Sequence, residues 1–385
     1  MSALHDVAFS TQTESDTTAA CDCMWEGRAC IAIFIRNSLH LQPGHQNTRR
    51  QIAGCPTQAA FRDGDGWQAR FNSVTDMTFV PLRNALLVCD SGNHRVRMVG
   101  LASPYTVSTI SGFGKMGNYV DGSIRLAQFA MPHSLCASAD GLDIYVTDYN
   151  NNAVRKIDTR NGTVETILGG KNRTPSLTRY LGTEDNKKHA VMSRPTGIKM
   201  EANNRFLLIV NSGANSILRL ELRHSLGKTQ GRWLRALACD ALNMPFSLKT
   251  SIQVTPSGRL VVWRQRSFRD PSTMSLYNPS SGRILYQRNF DFTAAAFFLG
   301  VDPNRPGSLC YALRKMGDSQ HNLVKISFTL GWDVMRLLLM ATLKPASHKK
   351  STATTFARLP MSLLQVICTF AGDPFGAGGN TFRCA

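Results

Sequence analysis

Residues 89–99, CDSGNHRVRMV, return 58 positions later as TDYNNNAVRKI, residues 147–157. The echo is much longer than this turn. Residues 52–112 open with IAGCPTQAAFRDGDGWQARFNSVTDM, pass through ALLVCDSGNHRVRMVGL and close on TVSTISG. Residues 110–170 follow the same order, from ISGFGKMGNYVDGSIRLAQFAMPHSL through DIYVTDYNNNAVRKID to TVETILGG. A looser third copy runs through SRPTGIKM and FLLIVNSGANSILRLEL, where Asn211 stands in the place of Asp90 and Asp148. Each copy reads as four short strands separated by Gly, Asn and Asp turns, and none carries a sustained helical period. A four-stranded unit of this size cannot bury its own faces, so it must be repeated until neighbours cover it. The expected fold is therefore all-β, a β-propeller of four-stranded blades, with six blades the best count and five or seven the alternatives.

Later units fade into 247–289 and 294–343, and LPMSLLQVICTFAG (359–372) ends like the early fourth strands. The expected layout is a disordered or extended segment at 1–28, a propeller at 29–372 and a tail at 373–385. Within the propeller, clear repeats occupy 50–225 and degenerate ones 226–372. Residues 30–41 and 49–55 are expected to complete the ring with the C-terminal strands. Asn161-Gly162 is expected as a tight hairpin turn.

The signature G-x-x-x-D-G-x-x-x-x-A-x-F-x-x-P, then a strand and D-S-G-N-H-R-V, resembles the NHL-repeat family. Its carriers are Asp121, Gly122, Ala127, Phe129 and Pro132 in one copy. In the other they are Asp65, Gly66, Ala69 and Phe71, followed by Asp90 to Val96. The resemblance implies a propeller and leaves three functions open: protein scaffolding, single-stranded RNA binding, and lyase or hydrolase chemistry at the central channel. Fold alone does not choose among them.

The chain carries 44 Lys+Arg against 26 Asp+Glu, a net charge of +18. Such an excess suits nucleic acid, an anionic membrane surface or an acidic partner. It concentrates in residues 171–235, with 13 Lys+Arg against Glu184, Asp185, Glu201 and Glu221. The inter-blade loop at 171–195 is long and basic. Its Lys171, Arg173, Arg179, Lys187, Lys188 and Arg194, with Tyr180 among them, are the expected binding residues. Cations beside an aromatic ring also suit a phosphate backbone with a stacked base, which is the RNA alternative.

His133, in MPHSL, is the remaining binding candidate, at the start of an innermost strand near the channel. In the amidating lyases built on this repeat, a histidine in a similar Pro-His setting is one of several zinc ligands. The equivalent positions here are Thr75, Thr196 and Phe246, so the expectation is a partly buried structural histidine, no metal and no cofactor. Asp90 and Asp148 are expected to cap their turns by accepting backbone N–H bonds. Gly112-Phe-Gly-Lys-Met-Gly117 matches a dinucleotide fingerprint by letter but precedes no helix, and is read as an inter-blade loop.

Ten scattered cysteines form no zinc-type pair, and Cys89 and Cys136 are read as small buried thiols. The N-terminus lacks a signal-peptide layout, and VMRLLLMATL (334–343) is about half a membrane span. These features lead to an intracellular, cytoplasmic expectation with reduced thiols. The expected protein is a non-enzymatic, monomeric scaffold that binds a protein partner through its loop face.

Overall fold

The computed structural model describes residues 17–43, 49–112, 120–170, 192–201, 204–214, 216–225, 228–237, 251–254, 260–265, 272–279, 282–289, 294–301, 308–315 and 321–327. They form strands and short 3₁₀ turns, with no α-helix among them. The strands make six antiparallel sheets. The first holds β1 (Thr17–Trp25), β2 (Arg28–Ile35), β3 (Ser38–Pro43) and β4 (Arg50–Gly54). The second holds β5 (Gly64–Asp65), β6 (Val74–Val80), β7 (Ala85–Asp90), β8 (Arg95–Gly100) and β9 (Thr106–Ser111). The third repeats it with β10 (Gly122–Ser123), β11 (Pro132–Ala137), β12 (Asp143–Asp148), β13 (Ala153–Asp158) and β14 (Thr163–Gly169).

The fourth sheet holds β15 (Pro195–Met200), β16 (Phe206–Asn211), β17 (Ser216–Ser225) and β18 (Lys228–Leu237). The fifth holds β19 (Ser251–Val254), β20 (Leu260–Gln265), β21 (Ser272–Tyr277) and β22 (Ile284–Asn289). The sixth has three described strands, β23 (Ala294–Val301), β24 (Ser308–Lys315) and β25 (His321–Ser327). The first strands β1, β6, β11, β15, β19 and β23 touch in that order, and β23 touches β1. The sheets are thus the blades of a closed ring.

Two expectations change. The first blade begins at Thr17, inside the segment read as preceding the propeller. The alternation TTAACDCMW buries Ala19, Cys21, Cys23 and Trp25, which makes it an ordinary core strand despite its polar look. Residues 30–41 and 49–55 contribute to the other strands of that same sheet, and do not join C-terminal strands among the described residues. Residues 334–343 and 359–372 lie outside the described residues.

The core sits between blades. One cluster joins Leu87, Cys89 and Val96 of the second blade to Leu135, Ile144, Val146 and Ile157 of the third, with Ala127 and Phe129 of the A-x-F motif wedged among them. Burying a side chain such as Phe129 contributes about 1.5–3 kcal/mol. The I-x-G signature at the outer strands of the first three blades has a steric cause. Gly54, Gly112 and Gly169 all have positive φ, and a Cβ there would collide with the backbone carbonyls of Asn37, His94 and Asn152.

Candidate functional site

In the second and third blades the conserved-looking polar letters of the repeat converge on one buried guanidinium each. The Arg97 and Arg155 side chains are fully buried. Arg97 donates to Asp90 at 2.9 Å, to Asp63 at 2.8 Å and to the Arg62 and Arg70 carbonyls. Arg155 donates to Asp148 at 2.9 Å, to Asp121 at 2.8 Å and to the Val120 and Gln128 carbonyls. Each guanidinium also lies over the A-x-F ring, at 4.5 Å for Phe71 and 5.1 Å for Phe129.

The aspartates cap incoming loops as well as their own turns. Asp90 accepts the Asn72 N–H at 2.8 Å, and Asp148 accepts the Ala130 N–H at 2.7 Å. Within the turns, the Asn93 and Asn151 amides donate to the same carboxylates. Burial pushes the Asp90 and Asp148 carboxyls up, and these hydrogen bonds and guanidiniums oppose it. Full bonding marks both aspartates as frame, as the sequence led us to expect.

The register corrects one assignment. Gly64 pairs with Val107 as Gly122 pairs with Val164, and Asp63 holds Arg97 and Thr109 as Asp121 holds Arg155 and Thr166. The equivalents of Asp121-Gly122 are therefore Asp63-Gly64, and not Asp65-Gly66. Two overlapping Asp-Gly pairs in RDGDGW made the letters ambiguous. The eight-residue interval from Asp63 to Phe71, equal to that from Asp121 to Phe129, was the available signal. Arg97 and Arg155 were likewise readable as arginines seven positions after each aspartate.

His133 sits at a bulge. The pairing of β6, β11 and β15 slips by one residue at Thr75, His133 and Thr196 respectively. These three bulged residues form a belt around the ring. The Thr75 hydroxyl donates to the His133 carbonyl at 2.6 Å. The His133 Nδ1 donates to the Thr196 carbonyl at 2.8 Å, because a carbonyl can only accept. The Thr196 hydroxyl pairs in turn with that of Ser212. His133 also packs against Tyr149, with ring centroids 5.7 Å apart, and burial holds its pKa below the usual imidazole range.

The zinc set that the family resemblance implies does not fit these residues. One His133 nitrogen is committed to a carbonyl, and the neighbouring blades offer hydroxyls that are already bonded. Among the described residues, no three His, Cys, Asp or Glu side chains gather to hold a metal ion.

On the face that carries the 91–94 and 149–152 turns, neighbouring blades are stitched by αL residues. The Met131 N–H donates to His94 Nδ1 at 3.0 Å, and the Arg194 N–H donates to Asn152 Oδ1 at 2.8 Å. Burial lowers the His94 pKa, with Arg95 adding to the effect. Arg194 is exposed, so its backbone is anchored while its guanidinium faces solvent. Lys171, Arg173, Arg179, Tyr180, Lys187 and Lys188 lie outside the described residues, as does Phe246. His133 and Arg194 fall at the starts of the first strands of adjacent blades.

No helix among the described residues is long and apolar enough to cross a membrane. The NHL repeat family matches residues 129–157. Bovine NHL repeat-containing protein 2 is 34% identical over 104 residues, covering 26% of this chain and 14% of the relative. Its human counterpart is 33% identical over 98 residues, covering 25% and 13%. The chain thus matches about a seventh of the length of these curated relatives.

Among solved structures, a gluconolactonase from Xanthomonas campestris superposes with a TM-score of 0.52 at 12% identity, over 84% of this chain and 89% of that one. The Cps50 (Swd1) β-propeller domain of Myceliophteria thermophila gives 0.49 at 10% identity, over 84% and 100%. At 12% identity the likeness to the gluconolactonase speaks for the fold alone. The matched segment 129–157 spans the A-x-F phenylalanine, the bulged His133, the Asp148 turn and the Arg155 node, and over it the chain is similar to the NHL repeat.

Proposed function

We propose that this propeller is a non-enzymatic binding module that holds an acidic protein partner on the face carrying the 91–94 and 149–152 turns. The observation behind this is Arg194. It closes the most basic segment of the chain, its backbone is fixed to the neighbouring blade through Asn152, and its guanidinium is exposed. Residues 171–195 carry six Lys+Arg against Glu184 and Asp185, so the segment entering this anchor is strongly cationic. A rigid frame presenting charged loops suits recognition. The bulged residues Thr75, His133 and Thr196 are engaged with one another, which favours a frame role for them over a reactive one.

The test is quantitative affinity capture with the unchanged chain and with the Lys187→Glu, Lys188→Glu, Arg194→Glu triple variant. The expected result is loss of the acidic partners from the variant with the fold intact by circular dichroism. A parallel titration with single-stranded RNA at rising salt serves as the counter-test. Steeply salt-dependent RNA binding that the triple variant loses, with protein capture unchanged, would overturn the reading.

A further inference from the structure

A structural role in a repeat protein recurs from blade to blade, as the arginine nodes and the bulge belt do. One pair in the first blade breaks the repeat with reactive atoms. Cys23 of β1 and Cys30 of β2 are register partners, directly opposite each other. Counted from the first residue after the bulge in β1 and in β6, the equivalent pair of the second blade is Val80 and Ala85. Small apolar residues thus fill this place, and packing alone does not call for two facing sulfurs. Among the described residues no other two cysteines are register partners.

Directly opposite residues of an antiparallel pair share one face of the sheet, with Cα atoms about 4.5–5.5 Å apart. That spacing lies within the range spanned by disulfides, about 4.4–6.8 Å. Both side chains turn inward, into one core cluster with Trp25 and Leu41. Both are free thiols. Joining them requires little movement of either strand.

The ladder ends two pairs away, at the Glu26-Gly27 turn, where both residues are exposed and have positive φ. A hairpin end opens more readily than the middle of a sheet. Parting of the Trp25–Arg28 and Met24–Ala29 pairs would bring the two sulfurs to the end of the ladder. Burial pushes the Cys23 thiol up to about 12, and the nearby Cys30 thiol adds to the effect. The closed hairpin therefore keeps Cys23 protonated and inert, and exchange belongs to the opened form.

We propose that Cys23 and Cys30 are a redox site that closes to a cross-strand disulfide by exchange with a low-molecular-weight disulfide. The thiolate of one cysteine attacks a sulfur of the small disulfide, forms a mixed disulfide and releases one small thiol. The thiolate of the other attacks the protein sulfur of that mixed disulfide and releases the second small thiol. The protein gives up two hydrogens with their two electrons, and the small disulfide is reduced to two thiols. The new bond ties β1 to β2. Because β1 touches both β6 and β23, oxidation braces the strand at which the ring closes.

Trypsin offers a direct readout. Arg28 is the first Lys or Arg of the chain and lies between the two cysteines, so peptides 1–28 and 29–36 stay together only through a disulfide. The full chain is equilibrated with oxidised glutathione, its remaining thiols are alkylated, and it is then denatured and digested. The expected product is the linked pair of peptides, lighter by two hydrogens than their sum and separated again by reduced glutathione in excess. The oxidised chain should melt about 2–4 °C higher than the reduced one. Cys21→Ser should keep both the link and the shift, and Cys23→Ser should lose both. Thermal unfolding of each reduced variant reports whether it folds. Absence of the link in the unchanged chain, a glutathione adduct that goes no further, a link that survives in folded Cys23→Ser, or a link without a rise in melting temperature would overturn the proposal.

Discussion

The third and fourth blades solve the same packing problem with different chemistry. In the third, Asp148, Arg155, Asp121 and Phe129 form a buried ionic node. In the fourth, Asn211 pairs with Ser216 as Asp148 pairs with Ala153, so Leu218 takes the place of Arg155. Met192 likewise takes the place of Phe129, and both Leu218 and Met192 are buried. Asn211 keeps one bond of the aspartate, accepting the Ser193 N–H at 2.7 Å through its amide oxygen.

The charge, its counter-charge and the ring under it have all gone together. Electrostatics explains why. A buried ion pair gains little over well-packed apolar groups, but half of one is very costly. The repeat can therefore exchange the whole node for Asn, Leu and Met, whereas one partner cannot change alone.

The largest expected effect comes from breaking the third blade's node in the way the fourth blade avoids. Arg155→Leu leaves Asp148 and Asp121 without their cation and should cost about 3–5 kcal/mol, read by urea unfolding. Joining it to Asp148→Asn recreates the pair of residues found in the fourth blade. A double-mutant cycle should then return a coupling of about 2 kcal/mol. Strict additivity would show that the node is not a unit.

A smaller effect is expected at the belt. His133→Ala removes the bond to the Thr196 carbonyl and should cost about 1 kcal/mol. His133→Thr copies the neighbouring blades and should restore most of that loss in the same unfolding assay.

The smallest effect concerns pH. Burial lowers the His94 and His133 pKa values in the folded chain, so the unfolded chain binds more protons below the ordinary imidazole value. Their contribution to stability is complete above about pH 6.5 and declines as the pH falls toward the folded values. Asn152 does the work of His94 one blade later. His94→Asn should therefore flatten the acid side of a melting temperature against pH curve, and an unchanged slope would clear His94 of the effect.

Much of the fold was legible because repetition multiplies weak signals. The aspartate before the turn, the A-x-F pair and the I-x-G glycine each recur at one interval, and each has a definite steric or bonding cause. The first blade was not legible, because Thr17–Trp25 carries none of those marks and replaces large apolar residues by Ala and Cys on its buried face. His133 was read against its Thr75 and Thr196 counterparts, and the three occupy equivalent bulges. The ion pair between Asp76 and Lys199 escaped notice for the opposite reason. Asp76 and Lys199 are single departures in two distant strands, and no local pattern ties them together until the ring sets their charged groups 3.7 Å apart.

The ring itself closes where β23 meets β1, and there no sheet contains strands from both ends of the chain among the described residues. Among the described residues that seam is a contact between β23 and β1, with no backbone ladder shared across it. Its closure joins residues that are far apart in sequence, so it belongs among the slow, late steps of folding. It is also the place where the circle would be expected to part first under mechanical load.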